Sequence, residues 1–233
     1  MKRLYFILVL WIGKFGNVLC KIFHKSGTMI SGKVAVKLQK NFVKYFRNID
    51  YDKVIFITGT NGKSTTTNLV SHTVKMAGKK VATNTEGANM MSGVATTLIK
   101  NSSLFGKFNK EFLILEIDER SLRNIFKVLP AKNLCITNLQ KDQVQRNGDP
   151  DFIYQMFKGA VNKDVTLFVN NEEPRSRSLE DYVGKVVYYS MEENSKTFTK
   201  DDFYTVTLAC PKCSHKINYE YYNIENIGKF HCT

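Results

Sequence analysis

The chain has 233 residues, 43% of them apolar and 24% charged. That is long enough to bury a core, and too evenly mixed for a disordered, collagenous or multi-spanning membrane protein. The formal charge of +13 raises a nucleic-acid reading, but residues 1–50 hold ten basic residues against one acid, Asp50. The charge therefore belongs mostly to an N-terminal arm, and the body behind it is near neutral. Cysteines stand at 20, 135, 210, 213 and 232. An odd count with two isolated members argues against a disulfide framework and for a reducing, cytoplasmic setting.

Lys2-Arg3 followed by Leu4 to Ile12 looks like the start of a signal peptide, yet no small-x-small cleavage site follows. Nine apolar residues are also fewer than the roughly 20 that span a bilayer. Leu4, Ile7, Leu8, Trp11, Phe15, Val18, Leu19 and Ile22 follow helical spacing, with Lys14, Lys21 and Lys25 among or beyond them. Two readings of this amphipathic helix stand open. It lies at the inner face of an anionic membrane, or it packs on the domain or a partner with its lysines merely solvated.

Val54-Ile55-Phe56-Ile57 has the pattern of a strand buried on both faces, and it runs straight into Thr58-Gly59-Thr60-Asn61-Gly62-Lys63-Ser64-Thr65-Thr66. Leu69, Val70, Thr73, Val74 and Ala77 then recur at helical spacing up to Gly78, a C-cap. Strand, glycine-bearing loop, Lys-Ser and helix are the context of a phosphate-binding loop. Gly59 and Gly62 let backbone N–H groups turn toward phosphate oxygens, with Thr60, Asn61 and Thr65 completing the ATP-binding stretch. Lys63 neutralises the β- and γ-phosphates, and Ser64 offers a hydroxyl to Mg²⁺. A second buried run, Phe112 to Ile117, carries Glu116 and leads into Asp118 and Glu119. Acids at the carboxyl end of a parallel strand lie where α/β sheets bind ligands, which makes Glu116 a Mg²⁺ ligand. One of Asp118 and Glu119 is expected to face solvent or cap the next helix.

The loop is shorter than the general phosphate-loop pattern, with Ile57 where the first glycine would stand. In this form it resembles the Mur ligase superfamily, whose members use ATP to make an acyl phosphate that an amine attacks. Glu116 matches the glutamate that follows this strand in the family. Asn138, followed after three residues by Asp142-Gln143, matches a stretch in which the family has Asp-His, and that His binds a second Mg²⁺. With Gln143 in its place, the resemblance implies a weak second metal site. Lys158 is spaced like the carbamoylated lysine of some members, and Asn170-Asn171-Glu172-Glu173-Pro174 resembles the family's Asn-Ala-Asp-Asp-Pro element.

Asp-Gln, Asp118-Glu119 and Gly87-Ala88-Asn89-Met90 resemble one branch in particular, the ligase subunits of lipid II isoglutaminyl synthases. The resemblance places Asn89, Asn138, Asp142 and Gln143 on the substrate or phosphate side. It implies Lys63 and Glu116 as catalytic residues, Ser64 and Glu116 on Mg²⁺, and a GatD-like glutaminase partner that delivers ammonia. It also implies amidation of the D-glutamate α-carboxylate of lipid II. A folylpolyglutamate synthase is the rival within the superfamily, against which the Cys-x₂-Cys insertion counts. A non-catalytic nucleotide-binding module is the rival outside it.

Cys210-Pro211-Lys212-Cys213, followed after 18 residues by Cys232, fits the first three ligands of a Cys₄ zinc ribbon. The fourth would fall at position 235, beyond Thr233, with His215 and His231 as substitutes. The flanks 203–208 and 217–222 alternate as ribbon strands do. Residues 201–233 carry three basic and four acidic residues, which is no phosphate-binding surface and counts against a nucleic-acid ribbon. The expected organisation is an α/β fold of three parts. Residues 1–50 form a basic helical arm, 51–200 a Mur-type ATP-binding central domain with a mainly parallel sheet, and 201–233 an inserted, incomplete zinc ribbon. Because the family's acceptor-side residues belong to a C-terminal domain, the chain is read as an N-terminal fragment with little ligase activity alone.

Overall fold

A computed structural model describes residues 2–22, 29–84, 88–140, 150–199, 208–224 and 226–232. The run Val54 to Thr58 forms strand β1 (Val54–Thr58), with Val54, Phe56 and Ile57 fully buried. It pairs in parallel with β3 (Phe112–Glu116), which pairs in parallel with β2 (Val81–Thr83). The register sets Val54 against Leu113 and Ile57 against Glu116, so both strands end at the same level. Strands β4 (Asn133–Ile136), β5 (Thr166–Asn170) and β6 (Lys185–Tyr189) complete a six-stranded sheet in the order β2-β3-β1-β4-β5-β6, with β5 and β6 also parallel. The mainly parallel α/β sheet read from the sequence is what the structure shows.

Contacts divide the chain into two compact units, Met1–Thr58 with Gly62–Asn133, and Gly59–Asn61 with Leu134–Thr233. In the first, α1 (Lys2–Ile22), α2 (Ile30–Leu38), α3 (Lys63–Met76), α4 (Met91–Lys100) and α5 (Leu122–Phe126) surround β1 to β3. The basic arm thus belongs to the same unit as β1 and β3. Gly32 lets α2 approach α4 closely, since a Cβ there would lie 1.9 Å from the Ser92 carbonyl oxygen. Phe6 packs against Phe42 and Phe46 at ring distances of 5.1 and 5.2 Å.

Helix α1 covers the span that the spacing from Leu4 to Ile22 predicts. The nine-residue apolar run is shorter than a membrane span, but the helix that contains it is not: Lys2–Cys20 is long and apolar enough to cross a membrane by length and composition, with 22% of it buried. In α3, Leu69 is 66% exposed while Thr67 and Ser71 face inward. Small hydroxyl residues, with the half-buried Val70 and Val74 of the apolar spacing beside them, mark its packed side. The second unit holds α6 (Pro150–Lys158), the short α7 (Pro174–Arg177) and an antiparallel hairpin of β7 (Ile217–Ile224) and β8 (Ile227–Cys232).

Candidate functional site

The parallel register of β1 and β3 brings Glu116 to the level of the phosphate loop. Gly62, at φ +82°, occupies the left-handed region and caps α3. Lys63 and Ser64 follow in the first turn. The Ser64 hydroxyl donates to Glu116 Oε2 at 2.7 Å, and Asn89 Nδ2 donates to Glu116 Oε1 at 3.2 Å. Lys63 Nζ donates to Glu119 Oε1 at 3.0 Å. Both carboxylates are buried, Glu116 at 5% exposure and Glu119 at 4%. Burial pushes the Glu119 carboxyl above its usual range, against the opposing pull of Lys63. Of the expected residues, Lys63, Ser64, Asn89 and Glu116 meet in one cluster. Thr65 lies exposed in the first turn of α3.

Glu119, one of two undecided acids in the sequence, is the one that turns inward. Asp118 instead accepts from the Arg120 N–H at 3.1 Å in a local turn. Asn84 carried no signal at all. Its Oδ1 accepts from Glu116 N–H at 2.8 Å, and its Nδ2 donates to the Glu116 and Ala88 carbonyls at 2.7 and 2.8 Å. A side-chain amide can bracket both backbone groups of one residue, and Asn84 thereby fixes Glu116 at the strand end.

In the second unit, Gly59 sits at φ +125°, where a Cβ would lie 2.3 Å from Thr137 Oγ1. Thr60 N–H donates to the Asn138 carbonyl at 2.9 Å, and Gln140 N–H donates to Thr60 Oγ1 at 3.1 Å. Asn61 N–H donates to Asn138 Oδ1 at 3.1 Å, while Asn138 Nδ2 donates to the Asn61 carbonyl at 3.1 Å. Asn138 therefore grips the loop backbone. Glu173 supports this segment from behind, accepting from the N–H groups of Leu139, Arg175 and Ser176. Its complete burial pushes the carboxyl above the usual range. Glu172 accepts from Asn223 Nδ2 at 3.1 Å and from Met191 N–H at 3.1 Å. These two acids are structural brackets. Lys158 Nζ lies 4.7 Å above the Tyr182 ring, and its interaction with that tyrosine raises its pKa. Gly87, Asp142, Gln143 and most of the flank 203–208 lie outside the described residues.

The sulfur atoms of Cys210, Cys213 and Cys232 all lie within 4.8 Å of one another. The knuckle closes by Cys210 N–H donating to the His215 carbonyl at 2.7 Å and Ser214 N–H to the Cys210 carbonyl at 2.8 Å. Pairing of Ile217 with Cys232 across the hairpin brings the third sulfur to it. The hydrogen bond with Cys213 pushes the Cys232 thiol up to about 12. This group could hold a metal ion.

The profile of the Mur ligase middle domain matches residues 57–233. The chain belongs to the Mur ligase family. It is 29% identical over 222 residues to "Lipid II isoglutaminyl synthase (glutamine-hydrolyzing) subunit MurT" of Staphylococcus aureus (strain COL), covering 95% of this chain and 49% of the relative. The same-named subunit of Streptococcus pneumoniae (strain ATCC BAA-255 / R6) is 30% identical, with 88% of this chain and 45% of the relative covered. The chain spans about half the length of these curated relatives. In structure it is similar to a pseudomurein peptide ligase type C from Methanothermus fervidus, with a TM-score of 0.63 and 21% identity. That match covers 83% of this chain and 37% of the other, and it carries the fold alone. Within the Mur ligase fold, the cluster around Glu116 occupies the carboxyl end of parallel strands, where sheets of this class bind ligands.

Proposed function

We propose that this Mur ligase chain binds ATP for the ligase subunit of a lipid II isoglutaminyl synthase. In this reading the D-glutamate α-carboxylate of the lipid II stem peptide attacks the γ-phosphorus of ATP. An acyl phosphate forms and ADP leaves. Ammonia from a GatD-like glutaminase then attacks the acyl carbon, releasing phosphate and leaving D-isoglutamine. The work falls at the cytoplasmic side, where ATP and this precursor meet. The observation that carries the proposal is the joined set Lys63–Glu119 and Ser64–Glu116–Asn89 at one strand end.

Phosphoryl transfer is chiefly positioning and charge neutralisation, and the roles divide accordingly. Lys63, released from Glu119 when phosphates arrive, carries the positive charge to the β- and γ-oxygens. N–H groups of Gly59 to Thr65 offer donors to the phosphate oxygens. Ser64 and Glu116 present hard oxygen donors in mutual contact, a set that suits Mg²⁺, and they would hold it. Bound there, Mg²⁺ would neutralise developing phosphate charge. Asn89 and Asn84 orient Glu116. The three thiols fit zinc, a soft-ligand metal at home among closely set sulfurs, and its role would be structural.

The test is ATP turnover by the full-length protein with its glutaminase. The proposal expects turnover that requires both ammonia and a lipid II acceptor, and loss of it in Lys63→Met. Turnover with a folate acceptor, or none with lipid II, overturns it.

A further inference from the structure

Helix α1 is about 31 Å long and two-sided. Phe6, Val9 and Leu10 are fully buried against the unit, and Trp11 Nε1 donates to the Leu104 carbonyl at 2.9 Å. Lys14, expected on the solvated side, donates to the carbonyls of Ile99 and Ser102 at 2.8 and 2.6 Å. Among the described side chains from Leu8 to Ile22, the outward side is apolar. Leu4, Leu8, Ile12, Phe15 and Ile22 are between 50% and 67% exposed, and Trp11 is 47% exposed. Soluble proteins seldom leave so continuous an apolar strip to water without a partner.

What borders the strip identifies the partner. Tyr5 hydroxyl donates to the Leu38 carbonyl at 3.0 Å, which sets the end of α2 beside the start of α1. On α2, exposed Ile30, Val34 and Leu38 alternate with exposed Lys33 and Lys37. Lys2, Lys40, Lys44 and Arg47 are exposed as well, and no acid occurs before Asp50. An apolar strip edged by cations and lacking anions matches a bilayer surface with anionic headgroups, into which such a face sinks about 5–10 Å. A protein partner would be expected to meet the cations with acids and would not require the strip to be uniformly apolar. Because one side of α1 is committed to the core, this is docking along the surface, not a span.

We infer that the α1–α2 face docks the protein on an anionic lipid bilayer. These residues are separate from the Lys63–Glu116 cluster, so docking stands or falls apart from the ligase reading. Trp11, the single tryptophan of the chain, is a built-in probe. The full chain is mixed with vesicles of about 30% phosphatidylglycerol in phosphatidylcholine and, separately, with phosphatidylcholine alone. Expected are co-sedimentation with the anionic vesicles, a shift of Trp11 emission to shorter wavelength, and quenching by brominated acyl chains. Partition should fall about tenfold between roughly 0.1 and 0.5 M salt as the charges are screened.

Phe15→Glu, at an exposed site, should abolish the shift. The combined Lys33→Gln, Lys37→Gln, Lys40→Gln and Lys44→Gln variant should lose the preference for anionic lipid. Both should keep the circular dichroism and ATP affinity of the parent. Failure to sediment with anionic vesicles overturns the inference, as does equal binding to neutral ones. A Trp11 shift that grows with protein concentration in the absence of lipid, with dimers in sedimentation equilibrium, assigns the face to a second copy and overturns it too.

Discussion

Glu116 and Cys232 each end a strand, but different forces hold them there. Glu116 follows Ile114 and Leu115, both fully buried, and its backbone and carboxylate are held by Asn84, Asn89 and Ser64. Cys232 is exposed, at the tip of a two-stranded sheet whose partner cysteines come from a turn. A hairpin of two strands is marginal by itself. The first cluster is organised by the core before any ligand arrives. In the second, buried Tyr222 and Ile227 and the Asn223–Glu172 bond anchor the far end of the hairpin, while the sulfur end is exposed, so a metal ion bound there would fix that end as well as occupying the site.

Metal removal should separate the two regions most sharply. Structural zinc is worth an apparent ~10–16 kcal/mol in small domains, so chelation or Cys213→Ser should erase amide-exchange protection at the sulfur end, residues 210–217 and 230–232, while β1 and β3 keep theirs. Protection that survives chelation would break the contrast.

The next effect belongs to Lys63→Met, expected to lower ATP-dependent turnover by about a thousandfold through loss of phosphate stabilisation. It also leaves Glu119 buried without its cation. Glu119 already has a folded pKa above its ordinary 4.5, so its contribution to stability is full at low pH and is lost as pH rises through the folded value. Removing Lys63 raises that value further. Urea unfolding of the variant should therefore show little loss near pH 4.5 and a growing loss toward pH 8; a pH-independent difference would disprove the coupling.

Ser64→Ala removes one of the oxygen donors proposed for Mg²⁺ and should raise the Mg²⁺ concentration needed for half-maximal turnover about tenfold, an outcome read from a Mg²⁺ titration. The smallest change is Glu173→Gln. It weakens a carboxylate that accepts from three backbone N–H groups, at a cost of about 1–3 kcal/mol in unfolding free energy. Glu173 too has a raised folded pKa, so the pH dependence it gives to wild-type stability, a loss as pH rises, should vanish in the variant.

Much of the loop side of the cluster was readable because that stretch is local. Gly59, Gly62, Lys63 and Ser64 fall within one short run, and the chemistry expected of them follows from residue type and flanking periodicity. Glu116 was readable because a buried strand announces its own end. The Cys-x₂-Cys spacing gave the knuckle, but the third cysteine's approach was not readable, because the strand that carries it, Ile227–Cys232, was not among the flanks 203–208 and 217–222 whose alternation was read. Asn84 was not readable, since an asparagine after a three-residue strand looks like any turn. The choice between Asp118 and Glu119 also hung on which one Lys63 reaches.

The opening charge count located ten basic residues in the first fifty, and periodicity alone found the amphipathic helix. Which side of that helix is covered was decided by packing, because Phe6, Val9, Leu10 and Lys14 find partners on the unit while Leu4, Leu8 and Phe15 do not. Sequence determines what each segment is able to bury or bind. The parallel register that sets Ile57 beside Glu116, and the turn from Asp118 to Glu119, depend on contacts between residues far apart in the chain, and only the folded structure decides them.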